Sequence, residues 1–98
     1  MLIKIHKSLR HVVAICDSNL IGKKFEEGKK QLEIRENFYN GNEIGREEAI
    51  RIIKAHAIED ATFNIVGKEA IGTALEAGII NKKGIHKIRG IPFALVLL

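Results

Sequence analysis

Residues 45–78 read GREEAIRIIKAHAIEDATFNIVGKEAIGTALEAG and carry the clearest structural pattern of the chain. Apolar residues recur at helical spacing after Gly45, which predicts a helix that ends near Glu59. Two glutamates in its first turn interact favourably with the positive N-terminal end of the helix dipole. Thr62–Val66 is a compact apolar run typical of a strand, and Lys68–Ala77 is a second amphipathic helix closed by Gly78. The buried stripe of the first helix is Ala49, Ile50, Ile53 and Ala57. This order predicts helices packed on a sheet.

Two extended runs at the N-terminus predict a β-hairpin. Leu2–Lys7 and His11–Cys16 are rich in isoleucine and valine and are separated by a short turn. The register that follows from a two- or four-residue connection pairs Lys7 with Arg10, Ile5 with Val12 and Ile3 with Ala14. Because side chains alternate along a strand, the core face then carries Ile3, Ile5, Val12, Ala14 and Cys16.

Helix-capping residues and alternating apolar residues predict the elements before and after the two amphipathic helices. Capping residues at 17–19 predict a short helix from about Asn19 to Glu27, and Gln31–Phe38 alternates as a strand does. A basic connector, Asn81 to Gly90, leads to Ile91–Leu98, which has no polar side chain. Such a strand is expected to be central and covered on both faces, or to be covered by a second subunit.

The predicted order is β-β-α-β-α-β-α-β, a single α+β domain over residues 1–98. We expect two layers, with about three helices on one face of a mixed sheet. The core prediction is that four side chains are nearly inaccessible to solvent, namely Ile50, Ile53, Ile65 and Leu95.

Composition limits the class of protein. The chain has 98 residues, 46% hydrophobic and 29% charged, as a folded domain has. Its single cysteine excludes an internal disulfide framework, and no apolar run approaches the roughly 20 residues of a membrane-spanning helix. The default location is therefore the cytoplasm. Seventeen isoleucines and few thermolabile residues suit a thermophile protein.

The net charge of +4 is unevenly distributed. Residues 1–16 and 77–98 contain cations but no acid, whereas glutamates accompany the lysines of the middle segment and are expected to neutralise them. If the end strands lie close together, their cations form one basic face that attracts the phosphates of RNA. The alternative is a solvated lysine surface. The predicted nucleic-acid-binding residues are Lys4, Lys7, Arg10, Lys82, Lys83, Lys87 and Arg89.

A second candidate site is a ligand turn made of Cys16, Asp17, Ser18 and Lys68. A cysteine at a strand-to-helix junction can become a nucleophile when its pKa falls, although a buried structural cysteine is commoner. The turn at Val66-Gly67-Lys68 could hold an anion on free backbone amides, with ordinary turn chemistry as the favoured alternative. The two turns matter together only if they lie on the same sheet edge.

His6 and His11 face each other in the predicted hairpin register. Two imidazoles on adjacent strands can bind a metal, but the sequence places no third ligand beside them. We therefore predict no metal site and no cofactor.

Three stretches together resemble the archaeal family described as domain of unknown function 424. They are Cys16-Asp17-Ser18-Asn19-Leu20-Ile21-Gly22-Lys23, then Glu36-Asn37-Phe38-Tyr39-Asn40-Gly41, then Asn64-Ile65-Val66-Gly67 with Gly90-Ile91-Pro92-Phe93-Ala94. The resemblance covers nearly the whole chain in the family's order and implies an archaeal source. It implies no activity, because none is established for the family.

Three functional hypotheses remain. The leading one is a small binding module, non-enzymatic, that contacts RNA or a ribonucleoprotein through its basic end segments. The second is a small-ligand or metal-dependent enzyme that uses the Cys16–Ser18 turn. The third is a protein-interaction subunit or homodimer formed through the last strand.

Overall fold

The computed structural model describes residues 1–97. Its elements, in chain order, are β1 (Leu2–His6), β2 (Val12–Cys16), a 3₁₀ turn (Ser18–Leu20), β3 (Lys24–Glu27), β4 (Lys30–Glu33), α1 (Glu36–Tyr39), β5 (Asn42–Glu43), α2 (Arg46–Ile58), β6 (Thr62–Val66), α3 (Lys68–Ala77), a second 3₁₀ turn (Lys82–Gly84), β7 (His86–Ile88) and β8 (Ile91–Val96). The bounds of β6 and α3 are those predicted.

Six strands form one mixed sheet in the order β5-β1-β2-β6-β8-β7. β2 and β6 are parallel, and the other neighbouring strands are antiparallel. β3 and β4 form a separate two-stranded hairpin. The described residues thus make an α+β domain with a mixed sheet and three α-helices, which confirms the predicted fold class.

The larger core lies between the sheet and helices α2 and α3. Ile53 of α2, Phe63 and Ile65 of β6 and Ala74 of α3 are completely buried there. The core prediction is right for Ile53 and Ile65, whereas Ile50 is half-buried. It is wrong for Leu95, which is 58% exposed.

The hairpin register differs from the predicted one by one residue. His6 pairs with Val12 and Ile5 with Val13, so the connection is the five residues 7–11. This register brings four bulky β-branched side chains to the face that packs on α2 and α3, namely Ile3, Ile5, Val13 and Ile15. Because one step of register reverses every side chain, Ala14 and Cys16 lie on the opposite face.

Residues 17–42 form a second layer on that opposite face. The predicted helix at 19–27 is wrong, because a single 3₁₀ turn is followed by Gly22 (φ 79°) and then by β3. The predicted strand Gln31–Phe38 is right for its first three residues and wrong for the rest: β4 ends at Glu33, and α1 begins three residues later. A smaller core results, made of Leu2, Ala14, Cys16, Leu20, Ile34, Tyr39 and Val66.

The last strand is interior in the sheet but is not fully covered. β8 pairs with β6 on one side and β7 on the other, as a central strand does. Its far end is open, since Leu95 near that end and Leu97 just after the strand are 58% and 71% exposed. The predicted cover on both faces is therefore absent from the described part of this strand, and Leu98 lies outside the described residues. No helix within residues 1–97 has the length and apolar character needed to cross a membrane.

Candidate functional site

The two predicted turns meet at one edge of the sheet. β2 and β6 are parallel neighbours, so both chains leave the sheet at the same end, where the Asp17 N–H donates to the Val66 carbonyl at 3.1 Å. The Asp17 carboxylate then accepts from the backbone N–H groups of Glu69 (3.1 Å) and Ala70 (2.8 Å). Asp17 therefore occupies the positive N-terminus of α3, and these two amides are not free for an external anion.

Gly67 makes room for this carboxylate. A Cβ built on Gly67 would lie 2.3 Å from Cγ of Asp17, and the φ of 108° is one that other residues rarely adopt. The Gly67 N–H in turn donates to the Pro92 carbonyl at 2.8 Å. Lys68, the remaining basic member of the predicted turn, is exposed. The close approach of Asp17 to the helix thus explains why glycine stands here.

Cys16 has the features of a structural cysteine. Its side chain is completely buried. Burial, and secondarily the negative charge of Asp17, raises the pKa of the Cys16 thiol to about 11. The thiol is therefore protonated at neutral pH and is shielded from reagents, the reverse of what a nucleophile needs.

Ser18 takes part in a small polar network that no sequence pattern indicated. Its Oγ donates to one carboxylate oxygen of Glu43, and the other oxygen accepts from the Met1 ammonium at 2.5 Å. The hydrogen bond from the ammonium, followed by that from Ser18, lowers the pKa of Glu43. The network fixes the start of β1 against β5.

The predicted basic residues fall into two groups rather than one face. β1 and β7 are separated by β2, β6 and β8, which is about 19 Å at a strand spacing of about 4.8 Å. Lys4 is half-buried and donates to the Asn37 carbonyl at 2.8 Å. Arg89 is held by the β3–β4 hairpin through the Glu26 carbonyl and the Glu27 carboxylate. The exposed members without such contacts are Lys7, Arg10, Lys82, Lys83 and Lys87.

The expected pairing of His6 with His11 is wrong, because the register places His6 opposite Val12. The His6 ring instead stacks on Phe38, with centroids 4.6 Å apart, and its Nε2 lies 2.9 Å from the Phe38 carbonyl oxygen. His11 lies beside His56, at the C-terminal end of α2, with ring centroids 5.6 Å apart. This second pair was not predicted from the sequence, since only the pairing of β2 with β6 brings the two residues together.

The stretches that carry the family resemblance converge on the smaller core. Cys16 and Asp17 meet Val66 and Gly67 at the sheet edge, and Tyr39 packs in the same core as Cys16. Gly41 is equally constrained, because a Cβ there would lie 2.0 Å from the Ile3 carbonyl oxygen. These motif residues hold the structure together.

Comparison with known proteins identifies the family of the chain. The family model described as "Protein of unknown function (DUF424)" matches residues 5–98. The crystal structure of an uncharacterized conserved protein from the archaeon Methanopyrus kandleri is similar, with a TM-score of 0.85 and 26% identity; the match covers 98% of this chain and 90% of that one. No curated protein matches significantly. The resemblance suggested by the three stretches is confirmed, and the chain belongs to the DUF424 family.

Proposed function

We propose that this protein is a non-enzymatic module that binds RNA through the cations of its two end segments. One observation carries the proposal: none of the seven predicted cations forms an ion pair within the described residues. The ion pairs made by lysine or arginine in residues 1–97 all lie in the middle of the chain; they are Lys24–Glu26, Arg35–Glu33 and Arg46–Glu76. Cations without a partner keep their full attraction for phosphate.

The positions of the two groups define the kind of RNA that fits. A single RNA strand that contacts both groups of cations has to span about 19 Å across the sheet, which is a length of several nucleotides. The stacked pair His6–Phe38 is bonded within the protein, and aromatic residues are only 5% of the chain. We therefore expect contacts to phosphates, with little discrimination between bases. Such binding would take place in the cytoplasm.

A charge-matched pair of triple variants tests the proposal. The test variant replaces Lys82, Lys83 and Lys87 by glutamine. The control replaces Lys24, Arg35 and Arg46, which are exposed but ion-paired with glutamates, by the same residue. Lys23, Lys29 and Lys30 do not serve as the control, because the neutralisation by glutamates expected for them is wrong: of the four lysines around Glu26 and Glu27, only Lys24 has an acid within 4 Å among the described residues.

Binding is measured by fluorescence anisotropy of a labelled single-stranded RNA of mixed sequence over a series of salt concentrations. Removing one phosphate-binding cation should reduce the salt slope by about 0.7, so the test variant should show a slope about 2 units smaller than that of the wild type. The control should keep most of the wild-type affinity. Absence of wild-type binding at low salt, or equal reductions in both variants, would refute the proposal.

A second candidate function is self-association through β8. It rests on the exposure of Leu95, near the end of the strand, and of Leu97, just after it, two large apolar side chains. A patch of large apolar side chains left in solvent is typical of a surface that is covered in an assembly. The enzyme hypothesis has no comparable support, because Cys16 is buried and Asp17 is bonded to α3.

A further inference from the structure

We propose that His11, His56 and Glu59 form a binding site for a divalent transition-metal ion, with zinc as the first candidate. None of these three residues is among the cations proposed to bind RNA, although His11 directly follows Arg10. One ring nitrogen of each histidine and one carboxylate oxygen of Glu59 lie within 4.8 Å of one another. The three residues come from two segments that are far apart in sequence, the loop before β2 and the end of α2.

The two histidines present unsatisfied nitrogen atoms. Nδ1 of His11 and Nδ1 of His56 are both shielded from solvent and have no hydrogen-bond partner among the described residues. A buried polar atom without a partner is rare in a stable fold because its hydration is removed without replacement. A metal ion bound through Nδ1 would give both histidines the partner that they lack.

The backbone around the cluster is fixed. The Asp60 N–H donates to the Ala57 carbonyl and the Ala61 N–H to the His56 carbonyl, both at 3.1 Å, which is the Schellman arrangement at a helix C-terminus. Asp60 supplies the left-handed residue that this arrangement needs, with φ 59°. The Thr62 N–H donates to the His11 carbonyl at 2.9 Å, so the pairing of β6 with β2 holds His11 near the end of α2.

The chemistry of the three side chains fits zinc. Two imidazoles and one carboxylate form a ligand set that zinc uses when a fourth position remains open to water. Zinc–nitrogen bonds of about 2.0 Å place neighbouring ligand atoms roughly 3.4 Å apart. The three ligand atoms here lie within 4.8 Å of one another, so side-chain rotations that move them by about 1.5 Å bring them to that distance. Glu59 is exposed, and its side chain has room to make such a movement.

The experiment titrates the tag-free full chain with Zn²⁺ in competition with a chromogenic chelator. We expect one zinc ion per chain and no binding of Mg²⁺, which prefers oxygen ligands. Substituting Co²⁺ for Zn²⁺ should give the visible absorption of a cobalt ion with nitrogen ligands. His11→Ala and His56→Ala should each lower zinc affinity by roughly 100-fold or more.

His86→Ala is the matched control, since His86 is exposed and lies outside the cluster. It should leave the zinc affinity within about twofold of wild type. If the two histidine variants fail to fold, the exposed Glu59→Gln decides the matter, because it should lower the affinity about tenfold without touching the core. Absence of one-to-one zinc binding in the wild type, or an equal decrease in His86→Ala, would overturn the proposal.

Discussion

Cys16 and Tyr39 are two ionisable side chains that the smaller core keeps neutral. Burial raises the pKa of the Cys16 thiol to about 11 and that of the Tyr39 phenol to about 12. The charge of Asp17 adds to the first effect, and the nearby Cys16 adds to the second. In the unfolded chain the same groups have their ordinary pKa values, 9.0 and 10.0.

Stability should therefore fall in alkaline solution. Between about pH 9 and 11 the unfolded chain releases the Cys16 proton while the folded chain retains it, so rising pH favours unfolding. Tyr39 acts in the same direction between about pH 10 and 12. Each group contributes at most roughly 3 kcal/mol to the free energy of unfolding, fully present at pH values below its window and lost as the pH rises through it. Urea unfolding at several pH values measures this, and a Cys16→Ala, Tyr39→Phe double variant should show a flatter pH dependence. Equal slopes in both proteins would contradict it.

The start of α3 is stabilised by a residue that precedes it by about fifty positions. The carboxylate of Asp17 satisfies the amides of Glu69 and Ala70, which no residue within α3 can serve. Since Asp17 also donates its N–H to Val66, the same residue joins β2, β6 and α3.

Asp17→Ala should cost about 1–2 kcal/mol of unfolding free energy, because both amides at the start of the helix lose their acceptor. The matched control is Asn19→Ala, an exposed neighbour whose side chain makes no hydrogen bond in the described structure, and it should change stability by less than about 0.5 kcal/mol. Urea denaturation gives the free energies. Amide exchange of Glu69 and Ala70 should also be faster in Asp17→Ala. A decrease of the same size in Asn19→Ala would assign the effect to the loop instead.

Predictability from sequence differed between elements for a physical reason. α2, β6 and α3 were predictable because their amphipathic periodicity and terminal glycines are local signals. Residues 17–42 were not, since Gly22 and Gly28, both with positive φ, divert the chain into turns within a segment whose apolar spacing also fits a helix or a longer strand. The hairpin register depends on which of the two alternating sets of apolar side chains packs on the helices, and tertiary contacts decide this rather than local sequence.

The same limit applies to the candidate sites. The sequence shows that both end segments contain cations and no acidic residue, but the division of these cations into two groups follows from the strand order. His11 and His56 are 45 positions apart, and only the parallel pairing of β2 with β6 makes them neighbours. The one local signal of the metal cluster is that Glu59 follows His56 by three positions, a spacing that puts both residues near one face of a helix. This signal is weak.

At the scale of the whole molecule, exposed apolar side chains concentrate at one end of the sheet. Four large ones are exposed within residues 1–97, namely Leu9, Ile58, Leu95 and Leu97. They lie in the β1–β2 loop, at the end of α2 and at the end of β8, all at the end where β2 and β6 begin. Residues 17–42 instead cover the face of the sheet that points away from α2 and α3.

If this end is a contact between copies, the wild type should sediment as a dimer at micromolar concentration. Leu95→Lys should convert it to a monomer, because a charge at the centre of an apolar contact is desolvated without a partner. Gln31→Lys adds the same charge on exposed β4 and should leave the dimer intact. Sedimentation equilibrium distinguishes the two states. A monomeric wild type would exclude self-association through β8.

The interior position of β6 and β8 also determines when the chain can fold during its synthesis. The β1–β2 hairpin joins neighbouring residues and can close early, but β2 reaches its second partner only after residues 62–66 have been made. β6 then keeps an open edge until residues 91–96 leave the ribosome and pair with it. Such non-local pairing slows folding, and an unpaired interior strand is prone to aggregate. A nascent chain that stalls before residue 91 would therefore depend on chaperones that shield exposed strands.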